Sequence, residues 1–280
     1  MDDQNTSETE EQDFSFSAFA NAPFYVKINE DLVSLSGVCP GQSVVDLACG
    51  VGGVTKLIFE KLRGAKDSMI TGVDLSSSAL KQAREDFKDV KDAMVEFVQG
   101  RAEHLSQLIK EKVDAVVFCN AIHQFDDKET LLNEISNTLK PGGIFAFNTS
   151  FYEGGHTEGT EQWYRKWMFR SIRILRSEFG LTPVRANKVE SRRHISVDQY
   201  IDILRDKGFD IREKRVTTID VPLEGWVLIS QFEDWINGVM PGVPLAPARE
   251  SLQKAATQLF EEMKVNFISR DWLDIVAVKQ

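Results

Sequence analysis

The region from residue 43 to residue 150 predicts an α/β fold with a doubly wound parallel sheet. Short apolar runs alternate there with segments whose apolar residues recur at helical spacing. A glycine turn follows the first apolar run, and an acid ends the second. Alternating strands and helices form parallel sheets with right-handed crossovers. The turn and the acid are typical of a nucleoside-binding site at the sheet edge.

Each element of this region is predicted by its own residue pattern. Strands are expected near residues 43–47, 69–74, 94–99, 113–119 and 144–149, and helices near 53–63, 77–88, 103–110 and 128–139. In the helix near 77–88, either Ser76 or Ser77 is the N-cap, and Leu80 and Ala83 lie on the buried face. Ligands of such sheets bind at the carboxyl ends of the strands, so the residues that end these strands should surround one site.

The glycine turn and the acid predict a site for a nucleoside cofactor. Gly50 and Gly52 let the backbone approach a ligand where a Cβ would clash, and the following helix presents free N–H groups. Asp74 lies 24 residues after Gly50, where a carboxylate can hold ribose hydroxyls. A dinucleotide site needs a third small residue, and Thr55 stands there instead. This departure disfavours a nicotinamide oxidoreductase.

The simple alternation stops after residue 150. The spacing predicts helices near 161–179, 196–208 and 248–264, and strands near 210–221 and 272–278. A proline-punctuated loop at 240–247 precedes the last helix. The two long segments at 150–207 and 222–267 are therefore expected to be insertions beside the sheet.

Five motifs in order resemble the class I S-adenosylmethionine-dependent methyltransferases. The pattern D-L-x-C-G-x-G, from Asp46 to Gly52, resembles the first motif of that family. The later motifs are Gly72-Val73-Asp74-Leu75-Ser76, Gln99-Gly100-Arg101-Ala102-Glu103, Val116-Val117-Phe118-Cys119-Asn120-Ala121-Ile122-His123 and Leu139-Lys140-Pro141-Gly142-Gly143. A single glycine turn would be weak evidence, whereas the ordered set is specific.

The resemblance implies a fold and a division of the chain. The fold is a Rossmann-like, doubly wound, seven-stranded sheet whose last strand is antiparallel and lies between the fifth and sixth, with a largely helical insertion that covers the substrate. The implied segments are a cofactor-binding core with an N-terminal cap at 14–150, a helical cover at 151–209, and the final strand pair at 210–280 with an inserted loop and helix at 222–267. Composition adds a disordered acidic tail at 1–13, because those residues include six acids, no base and almost nothing apolar.

The resemblance also implies the residues that bind S-adenosylmethionine. They are Asp46, Ala48, Gly50, Gly52, Asp74, Leu75, Ala102, Glu103 and Asn120. Ala48 stands where many members have a glycine, and Arg101 stands where an acid is more frequent. Because arginine cannot accept a hydrogen bond, recognition of the adenine amino group falls to backbone groups or to Glu103.

Two catalytic candidates follow from the same resemblance. His123, in the loop after the fourth strand, is either a general base or a packed wall residue. Tyr25, in the N-terminal cap, either reaches the methionine end of the cofactor or is an ordinary packing aromatic. No histidine and carboxylate cluster has the spacing of metal ligands, so no metal is expected.

Residues 163–194 contain nine bases and two acids, in a chain whose net charge is −10. Arg170 and Arg173 lie on one helix face, with Trp163 and Trp167 beside them. One interpretation is a solvated charged face. The other is a substrate site in which these four residues bind an anionic acceptor.

Composition excludes several classes of function. The charge of −10 argues against a nucleic-acid binder, and no apolar run is long enough to span a bilayer. The polar, acidic first thirteen residues are not a signal peptide, and the three cysteines have no disulfide or metal spacing. These observations predict a cytoplasmic protein without membrane insertion, and leave the oligomeric state open.

The sequence therefore predicts a methyltransferase that acts on a small-molecule acceptor, with an anionic acceptor as one option. The alternative is an S-adenosylmethionine-binding protein of the same fold that acts on a carrier-protein-bound substrate or transfers no methyl group. Nothing in the sequence identifies the acceptor atom as oxygen, nitrogen or carbon.

Overall fold

The structure is a computed structural model that describes residues 17–90, 94–184 and 194–280. The predicted acidic tail at 1–13 lies outside the described residues, as do four of the bases counted above, Arg185, Lys188, Arg192 and Arg193. In the part of the chain that is described, no helix is long and apolar enough to cross a membrane.

Seven strands form one sheet in the order β3-β2-β1-β4-β5-β7-β6. They are β1 Ser43–Leu47, β2 Met69–Asp74, β3 Met94–Gln99, β4 Val113–Cys119, β5 Leu139–Thr149, β6 Phe209–Pro222 and β7 Phe267–Lys279. The first five strands are parallel, and β7 is antiparallel to both β5 and β6. The predicted fold class and the position of the last strand are confirmed.

The helices connect the strands and build the cover. They are α1 Ser17–Ala20, α2 Pro23–Ser36, α3 Gly53–Leu62, α4 Ser77–Asp86, α5 Leu105–Leu108, α6 Lys128–Thr138, α7 Glu161–Phe179, α8 Val197–Asp206, α9 Leu223–Ile229, α10 Glu233–Val239 and α11 Leu245–Met263. Single 3-10 turns occupy Ala102–His104 and Ile122–Gln124. The Ser76 hydroxyl caps α4 by accepting from the backbone N–H of Ala79, as one of the two predicted caps requires.

The central strands are buried on both faces because helices cover both sides of the sheet. Successive side chains of a strand point to opposite faces. Val44 and Ile70 belong to one apolar cluster, with α2 and α3, whereas Val45 and Leu47 belong to the other. The unbroken apolar runs of the sequence reflect this double burial.

The hairpin of β6 and β7 extends beyond the rest of the sheet. Pairing between β5 and β7 ends at Thr149 and Leu273, whereas β6 and β7 continue to pair as far as Pro222 and Phe267. The extension packs with α1, α7, α9, α10 and α11 in a separate aromatic cluster that forms the cover. The carboxyl edge of the sheet therefore lies beside a second apolar body.

Three details differ from the sequence prediction. Helix α8 lies within the range assigned to the cover, but its Tyr200 and Leu204 pack against the sheet. The range 222–267 contains three helices, α9, α10 and α11, where the sequence predicted a loop and one helix. Strand β5 begins at Leu139, five residues early, because Leu139 pairs with Val113 before a register shift.

Candidate active site

The turn between β1 and α3 has a left-handed backbone at three positions. The φ angles are 55° at Ala48, 53° at Gly50 and 88° at Gly52. A Cβ added to Gly52 would lie 3.2 Å from the ring of Phe87, whereas one added to Gly50 would meet nothing within 4 Å. Gly50 therefore borders open space. Ala48 keeps a conformation that favours glycine, at a cost of about 1–2 kcal/mol.

Asp74 joins the two cofactor loops. Its Oδ2 accepts from the backbone N–H of Gly50 at 2.8 Å, and its Oδ1 accepts from the backbone N–H of Ser76 at 2.8 Å. Each carboxylate oxygen keeps a further lone pair, which a ribose hydroxyl could use. Leu75 follows with 60% of its surface exposed, which leaves an apolar side chain free beside that position.

Asp46 has a buried carboxylate that is only half satisfied. Its Oδ2 accepts from the Thr55 hydroxyl at 2.6 Å, while its Oδ1 has no hydrogen-bond partner. Burial raises the pKa of Asp46 to about 7, and the hydrogen bond from Thr55 opposes this shift. An unsatisfied buried oxygen is costly, so this atom is suited to a cationic or N–H donor from a ligand. Thr55, which disfavours a dinucleotide, thus positions Asp46.

The loop after β3 carries the residues predicted to meet adenine. Ala102 is buried, and Arg101 donates to Oε1 of Glu103 at 2.9 Å. The backbone N–H of Gly100 donates to the carbonyl of Asp74 at 3.0 Å, which fixes this loop against the carboxyl end of β2. Contact of Ala102 and Glu103 with adenine stays a prediction.

A buried polar network joins α2 to the ends of β4 and β5. The side chains of Asn29 and Asn120 hydrogen-bond to Tyr25, and the amide of Asn148 donates to Oδ1 of Asn29 at 3.1 Å. The backbone N–H of Asn120, whose φ is 48°, donates to Oδ1 of Asn148 at 2.8 Å. Burial raises the pKa of the Tyr25 hydroxyl, so this hydroxyl stays protonated.

His123 is packed at the same edge of the sheet. Its Nδ1 lies 3.2 Å from the Thr149 hydroxyl, and its ring stacks on Phe151 with centroids 4.2 Å apart. Burial, assisted by the positive charges of His194, Arg270 and Lys128, lowers the pKa of His123 to about 3. The imidazole is therefore neutral at physiological pH, and it is a weaker base than an exposed histidine.

Arg270, which no sequence pattern singles out, lies beside His123. Arg270 is buried, with 6% of its surface exposed. Its two terminal nitrogens donate to the Tyr164 hydroxyl at 3.2 Å and to the Ser150 carbonyl at 2.7 Å. The guanidinium carbon lies 4.8 Å from the centroid of the Phe151 ring. A charged residue within a mostly apolar strand could have indicated Arg270. The predicted last strand began only at residue 272, however, so Arg270 lay outside it.

The predicted substrate residues on α7 divide between the cover interior and its outer surface. Trp163 and Trp167 are 1% and 0% exposed, and Trp167 Nε1 donates to the carbonyl of Leu252 at 2.9 Å. On the outer face, Arg170 pairs with Glu262, and Arg173 is exposed. The two tryptophans are thus core residues of the cover in this structure, and acceptor contact by these four residues stays a prediction.

The described ranges contain no group of three or more histidine, cysteine, aspartate or glutamate side chains that could hold a metal ion. What the edge offers is hydrogen-bonding groups at the carboxyl ends of β1, β2, β4 and β5. This arrangement can bind and orient a nucleoside cofactor, because ligands of such sheets bind at the carboxyl ends of the strands, where the glycine turn lies.

A family model for a methyltransferase domain matches residues 45–147, the region that contains β1 to β5. Residues 45–147 are therefore similar to the methyltransferase domain, and the fold around them is that of the class I S-adenosylmethionine-dependent methyltransferases. The cofactor of this class is S-adenosylmethionine. The residues present fit it, because the Asp74 carboxylate, the open side of Gly50 and the unpaired oxygen of Asp46 lie at the domain's cofactor edge.

Several curated relatives of this region are methyltransferases. A ubiquinone/menaquinone biosynthesis C-methyltransferase from Wigglesworthia glossinidia brevipalpis is 26% identical over 193 residues, which cover 61% of this chain and 74% of that protein. The chain spans about half the length of other curated relatives, one of which is 34% identical.

Solved structures confirm the fold. A Bacillus halodurans protein described as a methyltransferase has a TM-score of 0.56 at 18% identity, and the match covers 90% of this chain and 99% of that one. Phosphoethanolamine N-methyltransferase 2 from Haemonchus contortus, crystallised with phosphomonomethylethanolamine and S-adenosylhomocysteine, has a TM-score of 0.52 at 17% identity, covering 90% and 52% of the two chains. At these identities the likeness concerns the fold alone.

Proposed function

We propose that this chain transfers a methyl group from S-adenosylmethionine to a small-molecule acceptor. The observation that carries the proposal is the bridge from Asp74 to the Gly50 backbone, which gives the glycine turn and the acid a single ligand-facing geometry. The unpaired Oδ1 of Asp46 at the same edge supports it, since it offers a partner for the amino group of the cofactor.

The residues of the site would act by binding and positioning. The cofactor, when bound, supplies a methyl group on a sulfonium that needs no activation by the protein. Asp74 would hold the ribose hydroxyls, and Asp46 would hold the amino group. Orienting two reactants and excluding water can contribute about 7–11 kcal/mol to catalysis, so a dry, shaped site suffices for such a transfer.

The two catalytic candidates suit hydrogen bonding better than proton abstraction. The raised pKa of Tyr25 keeps its hydroxyl protonated, and the lowered pKa of His123 makes its imidazole a weak base. The proposed acceptor is accordingly one whose reacting atom is already nucleophilic or needs little help to lose a proton. Tyr25 and His123 would then border and orient it.

Calorimetry tests the proposal. Titration with S-adenosylmethionine, S-adenosylhomocysteine and NAD should give saturable binding of the first two only. A small acceptor library, analysed by mass spectrometry, should then yield products heavier by one methylene. Binding of NAD without binding of S-adenosylmethionine would refute the cofactor. Cofactor binding with no product from any acceptor would favour the alternative function without methyl transfer.

A second candidate function is action on a carrier-bound substrate, and one surface favours it. Phe169 is 72% exposed on the outer face of α7, beside Lys166 and Arg173, where an acidic carrier protein could dock. Changing Arg170 and Arg173 to Glu should slow association with an acidic carrier and weaken its salt dependence, while a free neutral acceptor is unaffected. An unchanged rate and salt response with the carrier-bound acceptor would exclude this candidate.

A cytoplasmic location also belongs to the proposal. Cys39, Cys49 and Cys119 are all free thiols, which is usual in a reducing compartment. Alkylation of the protein isolated from cells under native and reducing conditions tests this directly. Equal labelling under both conditions is expected, and a thiol that is labelled only after reduction would contradict it.

A further inference from the structure

Arg270 carries a buried positive charge that nothing in the described chain neutralises. Among residues 17–90, 94–184 and 194–280, its partners are a phenol and a backbone carbonyl, and its Nε has no hydrogen-bond partner. A buried guanidinium normally pairs with a carboxylate, since desolvation of an unpaired ion is costly. We infer that Arg270 binds a carboxylate of the acceptor, an inference that rests on the proposed function.

Other arginines of the chain show what is missing. Arg215 donates twice to the carboxylate of Asp274, and Arg170 pairs with Glu262. Arg212 donates to two backbone carbonyls without a carboxylate, but it is exposed, so water compensates its charge. Arg270 alone among these four combines burial with the absence of a carboxylate in the described chain.

The neighbouring acid does not supply the partner. Asp271 follows Arg270 in β7, and successive side chains of a strand point to opposite faces. The Asp271 carboxylate accepts from the hydroxyls of Thr157 at 3.0 Å and Thr218 at 2.7 Å. Its hydrogen bonds are therefore made on the other face of the hairpin.

The position of Arg270 suits an acceptor. It donates to the carbonyl of Ser150, the residue that follows the carboxyl end of β5, and so it lies at the edge where the cofactor residues gather. Two of its five N–H groups are used by the partners above, which leaves others for a carboxylate, an anion that guanidinium binds in a planar, two-pronged geometry.

The surroundings indicate an acceptor with an apolar body and a single negative charge. Phe151 and Tyr164 present their rings to the guanidinium at 4.8 and 5.5 Å, and Trp235 lies against Phe151 with centroids 6.0 Å apart. His156 and His194 border the region, with the His156 ring 4.3 Å from the Tyr164 ring and the His194 ring 6.0 Å from the Phe151 ring, centroid to centroid. Burial, then the charge of Arg270, lowers the pKa of both histidines, so Arg270 provides the fixed charge there, and Glu161 opposes the shift at His156.

Matched acids and amides test the inference on the unmodified protein. With S-adenosylhomocysteine bound, calorimetry would compare benzoate with benzamide and octanoate with octanamide. The acids should bind about tenfold or more tightly than the amides, since the hydrogen bonds to a charged group are the stronger ones. Equal affinity for acid and amide would overturn the inference.

Two variants and a control assign the effect to this residue. Arg270→Gln should remove the preference for the acids, and Arg270→Lys should restore part of it, because lysine keeps the charge but not the planar fork. Arg212→Gln, which alters another arginine that donates to backbone carbonyls, should leave the affinities for both the acids and the amides unchanged. Retention of the acid preference by a folded Arg270→Gln protein would overturn the assignment. If that variant does not fold, the comparison of acids with amides on the unmodified protein decides the inference. Binding of S-adenosylhomocysteine itself reports separately on the proposed function.

Discussion

At the scale of single residues, Asp74 has the most direct consequence for cofactor binding. Asp74→Asn should weaken S-adenosylmethionine binding by about 1.5–3 kcal/mol, since the charged acceptor is lost and one N–H of the new amide faces a backbone N–H. Asp114→Asn is the matched control, because Asp114 also accepts from a backbone N–H, that of Ser43 at 2.8 Å, at the opposite end of the sheet. Calorimetry should show the loss for Asp74 alone, and equal losses would contradict the assignment.

The raised pKa of Asp46 predicts a pH-dependent affinity. Only the ionised carboxylate attracts the cofactor's ammonium group. The pKa of the Asp46 carboxyl is about 7, so its ionised fraction rises across this pH. From pH 6 to pH 8 the Kd for S-adenosylmethionine should fall by about tenfold. Asp46→Asn keeps an oxygen that can accept from Thr55 but cannot ionise, so its Kd should be flat over that range. A flat profile for the native protein would show that Asp46 does not meet the ammonium group.

His123 should make the fold sensitive to acid. Its pKa is about 3 in the folded chain and about 6.5 when unfolded, so the unfolded state binds the extra proton below pH 6.5. Stability is therefore fully present above pH 6.5 and is lost as the pH falls toward 3. Urea unfolding should show that, between pH 7.5 and pH 5, the free energy of unfolding of His123→Gln falls by about 2 kcal/mol less than that of the native protein. Equal losses would mean that the imidazole titrates normally.

At the scale of elements, α7 has a buried face and an exposed face with different roles. Trp167→Ala should lower the free energy of unfolding by about 3–5 kcal/mol because it leaves a cavity in the cover. Phe169→Ala, on the exposed face of the same helix, should change it by less than about 0.5 kcal/mol. Urea unfolding measures both, and acceptor KM is recorded alongside. A Trp167→Phe protein of native stability with a raised KM would show instead that this tryptophan contacts the acceptor.

At the scale of the whole molecule, the cofactor should stabilise the fold because its site joins the loops after β1, β2 and β4. A ligand that binds only the folded state at a hundred times its Kd contributes about 2.7 kcal/mol. For a chain of this size that corresponds to a Tm increase of roughly 5 °C. Thermal unfolding with S-adenosylhomocysteine should show this increase, whereas NAD at the same concentration should not. The reverse result would contradict the cofactor assignment.

The segment from β1 to Asp74 was determined by the sequence because its signals are local. Strand β1, the glycine turn and β2 begin and end where the apolar runs predict, and the left-handed φ angles fall on Gly50 and Gly52. An apolar period and a glycine in a turn act over a few residues, so they can be recognised without knowledge of distant contacts. The order of five motifs then predicted the position of β7 by resemblance.

The partners of the site residues were decided only by the tertiary structure. Asn148 meets Asn29 across 119 positions of the sequence, and Arg270 meets Ser150 across 120. Periodicity showed that Trp163 lies on α7 but could not show that Trp226 of α9 and Phe260 of α11 pack against it. Hydrogen bonds and desolvation depend on which atoms are within a few ångströms, and that proximity exists only after the chain has folded.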